Sequence, residues 1–242
     1  MSGLTRTHSV ATEHHMKVGV LLPTFQTSAE PALEAAQRAV DFGLDGVFAY
    51  DHLWPMGSPQ RPALAPFPVL ASIAARHASL VVGPLVARVG LVSTHHLVAA
   101  FTTLATVAPG RVIAAIGTGD RLSADENLAY GLPTLDAASR RALLAETAHE
   151  LAGSMPVWFG AGAPATNELA HELGVTVNMW NATVEAVDGQ AAEGPVSWAG
   201  PVPTPASRTA GLLDDLARAG ASWAVLSAEL DLEAFREWRA SN

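Results

Sequence analysis

The sequence predicts an α/β protein folded as a TIM (β/α)8 barrel, in which eight parallel strands form a closed ring inside a layer of helices. Short apolar segments alternate with helical patterns along the 242-residue chain. The strand-like segments are apolar on both faces, which is typical of parallel strands that helices cover. The length also suits a barrel, which takes about 250 residues. An open, doubly wound sheet is the competing architecture.

Seven apolar runs are predicted to be strands, because each is short and is bounded by proline, glycine or polar residues. They cover 17–22, 45–50, 80–87, 111–116, 156–159, 175–180 and 223–227. An eighth strand over 195–199 has a weaker signal but would complete the ring.

Helices are predicted between these runs from apolar residues three and four positions apart. Ser28 suits the start of the first helix and Gly43 its end. The later helices are predicted over 67–77, 95–107, 137–152, 166–173, 182–190, 204–219 and 232–240. The long segment 117–136 is predicted to be a loop.

The barrel is predicted to be lean, with an abbreviated region around strands six and seven. Strands there follow one another after only about 20 residues, whereas a normal strand–helix–strand unit takes about 30 or more. We predict a single domain over 17–242. Residues 1–16 are polar and aperiodic and lack the apolar segment of a secretory signal, so we expect a flexible N-terminal tail.

Composition limits the possible partners. The formal net charge of -9 argues against a nucleic-acid-binding protein, which would present a basic face. No apolar stretch is free enough of polar residues to suggest a membrane span. The chain has no cysteine, which excludes disulfides and thiolate chemistry and fits a cytoplasmic location.

In either architecture a ligand would bind at the carboxyl ends of the strands, and this rule selects the candidate residues. Asp51 and His52 follow the second strand. A histidine beside a carboxylate can donate or accept a proton near neutral pH, so we predict a catalytic pair. The alternative interpretation is a loop pair that only forms hydrogen bonds with backbone.

Glycine-rich turns follow the fourth and fifth strands. Segment 160–163 (Gly-Ala-Gly-Ala) leads from a strand into a helix, where free backbone N–H groups suit a phosphate. Segment 117–119 (Gly-Thr-Gly) also exposes backbone, and the carboxylate of Asp120 follows it. The alternative is that these glycines only permit tight turns. The dinucleotide pattern G-x-G-x-x-G is absent from both segments.

Other chemistries have weaker support. The sequence contains neither H-E-x-x-H nor H-x-H spacing and no G-x-S-x-G motif, so no metal site and no serine nucleophile are predicted. A metal-dependent hydrolase barrel built on Asp51, His52 and Asp120 remains an alternative. Four tryptophans near strand ends could line a pocket for a flat ring or simply pack: Trp54, Trp158, Trp180 and Trp198.

Several segments, in this order, resemble the bacterial-luciferase-like monooxygenase superfamily, and within it the branch that uses the deazaflavin coenzyme F420. They are KVGVLLP, FGLDGVFAYDHLWP, VVGPLVARV, HHLVAAFTTLATVAPGRVIAAIGTGD, PVWFGAGAPATNELAHELG and ARAGASWAVL. The resemblance implies a TIM barrel and an oxidoreductase or monooxygenase that transfers a hydride between its cofactor and a small organic substrate. It also implies a homodimer.

The resemblance carries specific roles to matching positions. Asp51 and His52 match an Asp-His pair at the reactive face of the coenzyme, with His52 the proton donor or the group that orients the substrate. Leu85-Val86 occupies the place of a strained peptide that presses on the ring. Asp120 matches a catalytic glutamate. The implied cofactor-binding residues are Asp51, Leu85, Val86, Ala87, Gly117, Thr118, Gly119, Gly160, Ala161, Gly162 and Ala163.

The chain also departs from the family pattern. Asp120 is one methylene shorter than the family's glutamate, and the negative net charge is unfavourable for the anionic tail of coenzyme F420. Arg88 and Arg121 are the nearest basic candidates for that tail. Flavin mononucleotide (FMN) is therefore the alternative cofactor, and a non-catalytic ligand-binding relative is an alternative function.

Overall fold

The structure is a computed structural model that describes residues 15–55, 57–59, 61–119 and 123–241. Its strands are β1 (Lys17–Leu21), β2 (Gly46–Ala49), β3 (Val81–Pro84), β4 (Ala87–Arg88), β5 (Ala114–Gly117), β6 (Val157–Gly160), β7 (Thr176–Trp180), β8 (Val196–Gly200) and β9 (Trp223–Leu226). Its helices are α1 (Glu30–Asp41), α2 (Pro66–Arg76), α3 (Thr94–Val107), α4 (Ala124–Ala129), α5 (Ala137–Ala152), α6 (Pro164–Leu173), α7 (Val184–Glu193), α8 (Thr209–Arg218) and α9 (Leu232–Ser241).

These strands form one parallel sheet in the order β3-β2-β1-β9-β8-β7-β6-β5-β4. β3 pairs with β2, and β4 pairs with β5, so β3 and β4 act as two halves of one barrel strand. A parallel bridge between Val82 and Val112 brings the two ends of the sheet together. The predicted TIM barrel, with eight strand positions, is confirmed, and the open sheet is excluded.

The predicted strand over 80–87 is broken in the structure. β3 ends at Pro84, which has no N–H group with which to continue the ladder. The following Leu85–Val86 peptide bond is cis, and two residues later the chain rejoins the sheet as β4. The break directs residues 85 and 86 into the open end of the barrel.

The abbreviated region is compact rather than incomplete. α6 and α7 have ten residues each, and short turns connect them to β7 and β8. The weakly predicted eighth strand is present as β8, which is buried along its whole length. Every strand position of the barrel is thus filled, and short helices account for the close spacing of the strands here.

Two predicted boundaries need correction. The predicted loop 117–136 contains the short helix α4. The helix predicted to start at 204 begins later, with a 3-10 turn over Ala206–Arg208 that leads into α8 at Thr209, because prolines 201, 203 and 205 disfavour a helix before them. Residues 1–14 of the predicted tail lie outside the described residues, whereas Met16 is buried in the core.

Aromatic rings fill the inside of the barrel below its open end. Phe48 stacks on Trp158 with ring centroids 5.6 Å apart, and it meets Trp223 edge-on at the same distance. Gly46 leaves the space for these rings, because a Cβ atom there would lie 3.1 Å from the Trp223 ring. The remaining core lies between the strands and the helices. The interior is therefore packed, and a ligand has access only from one end.

Candidate active site

A cavity of about 470 Å³ opens at the carboxyl ends of the strands. This volume is in the usual range for a small-molecule site, about 300–1,000 Å³. Fifteen residues from several strand ends line it: Tyr50, Asp51, His52, Leu85, Val86, Arg88, Gly117, Thr118, Gly119, Ser123, Gly160, Ala161, Gly162, Asn178 and Trp180.

Asp51 is held at the end of β2 by the neighbouring strand. Its Oδ2 atom accepts a hydrogen bond from the backbone N–H of Arg88 at 3.0 Å. Burial raises the pKa of the Asp51 carboxyl above its ordinary value, and the Arg88 N–H and guanidinium only partly oppose this shift. Asp51 therefore does bind backbone, as the alternative interpretation expects. Its side chain also lines the cavity, so it is not only a backbone acceptor.

His52 belongs to a chain of charged groups. Its Nδ1 atom lies 3.1 Å from Oε1 of Glu126, and Nη2 of Arg88 lies 3.0 Å from Oε2 of the same carboxylate. Glu126 is almost fully buried, with 2% of its side chain exposed, whereas His52 is 29% exposed toward the cavity. The imidazole is therefore anchored on one side and open on the other.

Arg88 has donors to spare. Among the residues that the structure describes, its buried Nε, Nη1 and Nη2 atoms have no hydrogen-bond partner, and Nη2 forms only the ion pair with Glu126. Arg140 approaches the same region from α5 and donates to the backbone oxygens of Thr118 and Gly119, at 3.2 and 2.9 Å. The start of the loop after β5 is thus fixed through the carbonyl groups of Thr118 and Gly119.

The glycines at the ends of β5 and β6 are in contact with Val86. A Cβ atom on Gly117 would lie 2.6 Å from Cγ2 of Val86, and one on Gly160 would lie 3.3 Å from it. Gly119 has a φ of 66°, and its Cβ would meet Arg88 at 2.6 Å. The protein's own packing therefore disfavours a side chain at Gly117 and Gly119, and to a lesser degree at Gly160, whatever ligand binds there.

Gly162 is different, because nothing lies within 4 Å of a Cβ built on it. The backbone leaves the sheet after the Ala161 N–H, which donates to the Asn178 carbonyl at 2.7 Å. Within the described part of the chain, no backbone hydrogen bond uses the N–H of Gly162 or Ala163, and α6 begins at the next residue. This turn presents free donors at a helix N-terminus, as anion sites do.

One wall of the cavity is aromatic. Tyr50 stacks on Phe25 with centroids 5.2 Å apart, and Trp180 stands edge-on to Tyr50 at 6.2 Å. Burial, assisted by the charge of Glu229, raises the pKa of Tyr50 to about 12, so its hydroxyl is protonated at physiological pH. Trp180 is 51% exposed, an unusual position for a tryptophan. Of the four tryptophans considered above, Trp180 lines this cavity, whereas Trp54, Trp158 and Trp198 are buried.

Most of the predicted site residues come together around the cavity. Asp51, His52 and nine others of the predicted set lie in or beside its wall: Leu85, Val86, Gly117, Thr118, Gly119, Gly160, Ala161, Gly162 and, next to the last, Ala163. Ala87 instead points into the core between sheet and helices, where it is fully buried. Asp120 and Arg121 lie outside the described residues.

Sequence reasoning missed Glu126. The segment around it was predicted to be a loop, yet Ser123 and Glu126 have the S-x-x-E spacing typical of a helix start. That spacing predicts α4 but not the direction of the Glu126 side chain, which depends on contacts with β4 and with the end of β2.

The described residues also bear on other classes of protein. No group of three or more histidine, aspartate or glutamate side chains in the described ranges is arranged to hold a metal ion. Likewise, none of the helices in those ranges is long and apolar enough to cross a membrane.

A closed barrel with an Asp-His pair and bare backbone at its open end defines a TIM-barrel protein with a small-molecule pocket. The sequence profile described as luciferase-like monooxygenase matches residues 16–153. The chain belongs to this family, and the resemblance inferred from its motifs is confirmed.

Individual relatives agree with this assignment. The F420-dependent glucose-6-phosphate dehydrogenase of Nakamurella multipartita is 28% identical in an alignment 168 residues long, which covers 58% of this chain. The match spans about half, 49%, of that relative's length.

Solved structures share the fold at low sequence identity. An F420-dependent secondary alcohol dehydrogenase, solved with an F420–acetone adduct, superposes with a TM-score of 0.75 at 13% identity, over 92% of this chain and 97% of that one. The F420-dependent tetrahydromethanopterin reductase of Methanopyrus kandleri gives 0.72 at 12% identity, over 91% and 96% of the two chains.

Proposed function

We propose that this protein is a coenzyme F420-dependent oxidoreductase that transfers a hydride between the deazaflavin and a small organic substrate. The observation that carries the proposal is the convergence, on one cavity, of the Asp51–His52 pair, the Leu85–Val86 segment and the bare backbone at Gly162. The F420 dependence stated for the dehydrogenase of Nakamurella multipartita supports the choice of cofactor.

The residues of the cavity fit the parts of such a coenzyme. The free N–H groups of Gly162 and Ala163, at the start of α6, suit a phosphate. Leu85 and Val86 offer an apolar surface for a flat ring, and Trp180 offers an aromatic one. Arg88 lines the cavity, and the donors that its ion pair with Glu126 leaves without a hydrogen-bond partner among the described residues suit an anionic tail.

When bound, the coenzyme supplies a hydride acceptor or donor at its ring, and the protein supplies binding, orientation and proton transfer. His52 holds its exposed edge toward the cavity, where it can take a proton from a substrate hydroxyl or return it to a carbonyl. Asp51 lines the same wall. Tyr50 and Trp180 exclude water from one side. Each of these roles is a proposal that follows from position.

The test is a fluorescence titration of the purified protein with oxidised coenzyme F420, with reduced coenzyme F420 and with FMN. We expect saturable binding of coenzyme F420 and much weaker binding of FMN. Preferential binding of FMN would select the alternative cofactor. If neither binds and stoichiometric zinc or manganese is found in the purified protein, the hydrolase alternative replaces this proposal.

Variants separate catalysis from binding. Once a substrate is found, we expect Asp51→Asn and His52→Ala to lose most turnover while the protein stays folded. His149→Ala, on the exposed side of α5, is the matched control and should retain full turnover. Full activity in both site variants would contradict the catalytic assignment, and coenzyme binding without any turnover would indicate a ligand-binding relative.

Assembly and location are also part of the proposal. We infer a homodimer, to be measured by light scattering after gel filtration. We also infer a cytoplasmic location, which fits a chain without cysteine.

A further inference from the structure

A buried carboxylate behind His52 and Arg88, two residues of the cavity wall, has no role in the function proposed above. Glu126 is carried by α4, and only 2% of its side chain is exposed. A buried charge is unfavourable unless it is paired, so the contacts of Glu126 should explain its position.

Glu126 has one partner for each oxygen. Oε2 lies 3.0 Å from Nη2 of Arg88, and Oε1 lies 3.1 Å from Nδ1 of His52. Arg88 contributes its permanently charged guanidinium to this ion pair, and Glu126 contributes its carboxylate. A carboxylate only accepts hydrogen bonds, so Nδ1 of His52 must carry the hydrogen of this contact.

We propose that Glu126 is a positioning residue, which fixes the His52 ring with its hydrogen on Nδ1 so that Nε2 is the nitrogen presented to the cavity. This inference rests on the proposed oxidoreductase function, because that function is what gives the His52 ring a proton to transfer. The contact itself does not depend on any cofactor.

Arg88 connects this arrangement to both residues of the Asp51–His52 pair. Its backbone N–H donates to Asp51, and its guanidinium forms an ion pair with Glu126, which in turn contacts His52. One residue of β4 therefore fixes both members of the pair that ends β2. An orienting carboxylate behind a histidine is a general way to select one ring tautomer.

The experiment is heteronuclear NMR of the ring nitrogens of the full chain, in mildly alkaline buffer in which histidine rings are neutral. The spectrum of His52→Gln identifies the His52 signals among those of the nine histidines. In the wild-type protein we expect a protonated Nδ1 and an unprotonated Nε2. An Nε2-protonated ring in the wild-type protein would overturn the proposal, whether or not any variant folds.

Glu126→Gln gives the second arm. Arg88 would take the amide oxygen, so the amide N–H₂ would face His52 and require Nδ1 to accept. We therefore expect the His52 tautomer to reverse, while circular dichroism stays that of the folded protein. An unchanged tautomer in a folded Glu126→Gln protein would contradict the proposal.

A second histidine–glutamate pair supplies the control. In the layer of helices, Nε2 of His171 on α6 lies 3.3 Å from Oε2 of Glu193 on α7. Glu193→Gln should leave the His52 signals unchanged. A reversal of the His52 tautomer in this control would show that the effect is not specific to Glu126, and the proposal would fail. Because no arm contains coenzyme, failure of coenzyme binding would contradict the proposed function alone.

Discussion

Val86 and Gly117 are in direct contact at the floor of the cavity, where a Cβ atom on Gly117 would lie 2.6 Å from Cγ2 of Val86. Gly117 ends β5, and its Cβ would point to where the side chain of Val86 already stands. The position therefore tolerates no side chain unless the Val86 side chain, or the backbone that carries it, moves. This packing also sets the shape of the surface that a planar ligand would meet.

Gly117→Ala should destabilise the protein by about 1–3 kcal/mol, as expected when a methyl group is forced into a packed region. Gly160→Ala should reduce the free energy of unfolding by less. A Cβ atom on Gly160 would lie 3.3 Å from Cγ2 of Val86, so Val86 needs to move only slightly. Urea denaturation of both variants measures the difference. Equal stability of the wild-type protein and Gly117→Ala would show that Val86 is not held against β5.

Gly162→Ala should leave the stability of the protein almost unchanged but weaken coenzyme binding. Its Cβ meets nothing within 4 Å, so the free energy of unfolding should change by less than about 0.5 kcal/mol. The new methyl group would crowd an anion at the turn before α6, and we expect the affinity for coenzyme F420 to fall at least about tenfold, or about 1.4 kcal/mol. Fluorescence titration measures the affinity.

Gly189→Ala is the control for that measurement. Gly189 lies in α7, and a Cβ there also has open space around it. Coenzyme affinity should not change in this variant. If Gly162→Ala binds coenzyme F420 as tightly as Gly189→Ala does, the phosphate does not lie at this turn.

Asp51→Asn tests the raised pKa of Asp51. Because burial raises the pKa in the folded protein, the folded state holds the proton more tightly than the unfolded state does. The stabilisation from that proton is present at low pH and is lost as the pH rises from about 4, the unfolded value, through the folded pKa. Asparagine does not titrate, and its Oδ1 can still accept from the Arg88 N–H.

The stability of Asp51→Asn relative to the wild-type protein should therefore rise with pH across this window. Urea denaturation of both proteins at a series of pH values from acidic to neutral measures the gap. A gap that is constant or that shrinks as the pH rises would contradict a raised pKa.

Much of this fold follows from local sequence, and the site follows only in part. Apolar runs between glycines and prolines gave the strand positions, and the strand-end rule selected Asp51 and His52. A glycine in the sequence is an ambiguous signal, because either a ligand or a packed side chain can leave no room for a Cβ atom. Gly117 is explained by the packed side chain of Val86, whereas Gly162 has no such neighbour and suits a ligand. Glu126 escaped prediction because its partners are far along the chain. His52 is 74 positions away, and only the closed barrel brings the two together.

The Arg88–Glu126 pair offers a test that needs no ligand. Both side chains are buried, so Arg88→Met alone should cost about 3–5 kcal/mol by leaving the carboxylate without its cation. Glu126→Gln alone should also destabilise, because it leaves the buried guanidinium without a negative partner, even where the amide oxygen still accepts from it. The double variant should be clearly more stable than the sum of the two losses predicts, by about 1–3 kcal/mol.

The same double-mutant cycle on the exposed Arg236–Glu233 pair of α9 is the control. It should give a coupling near zero, since water screens that pair. Additive losses at Arg88 and Glu126, measured by urea denaturation, would mean that the two groups are not paired in the folded protein.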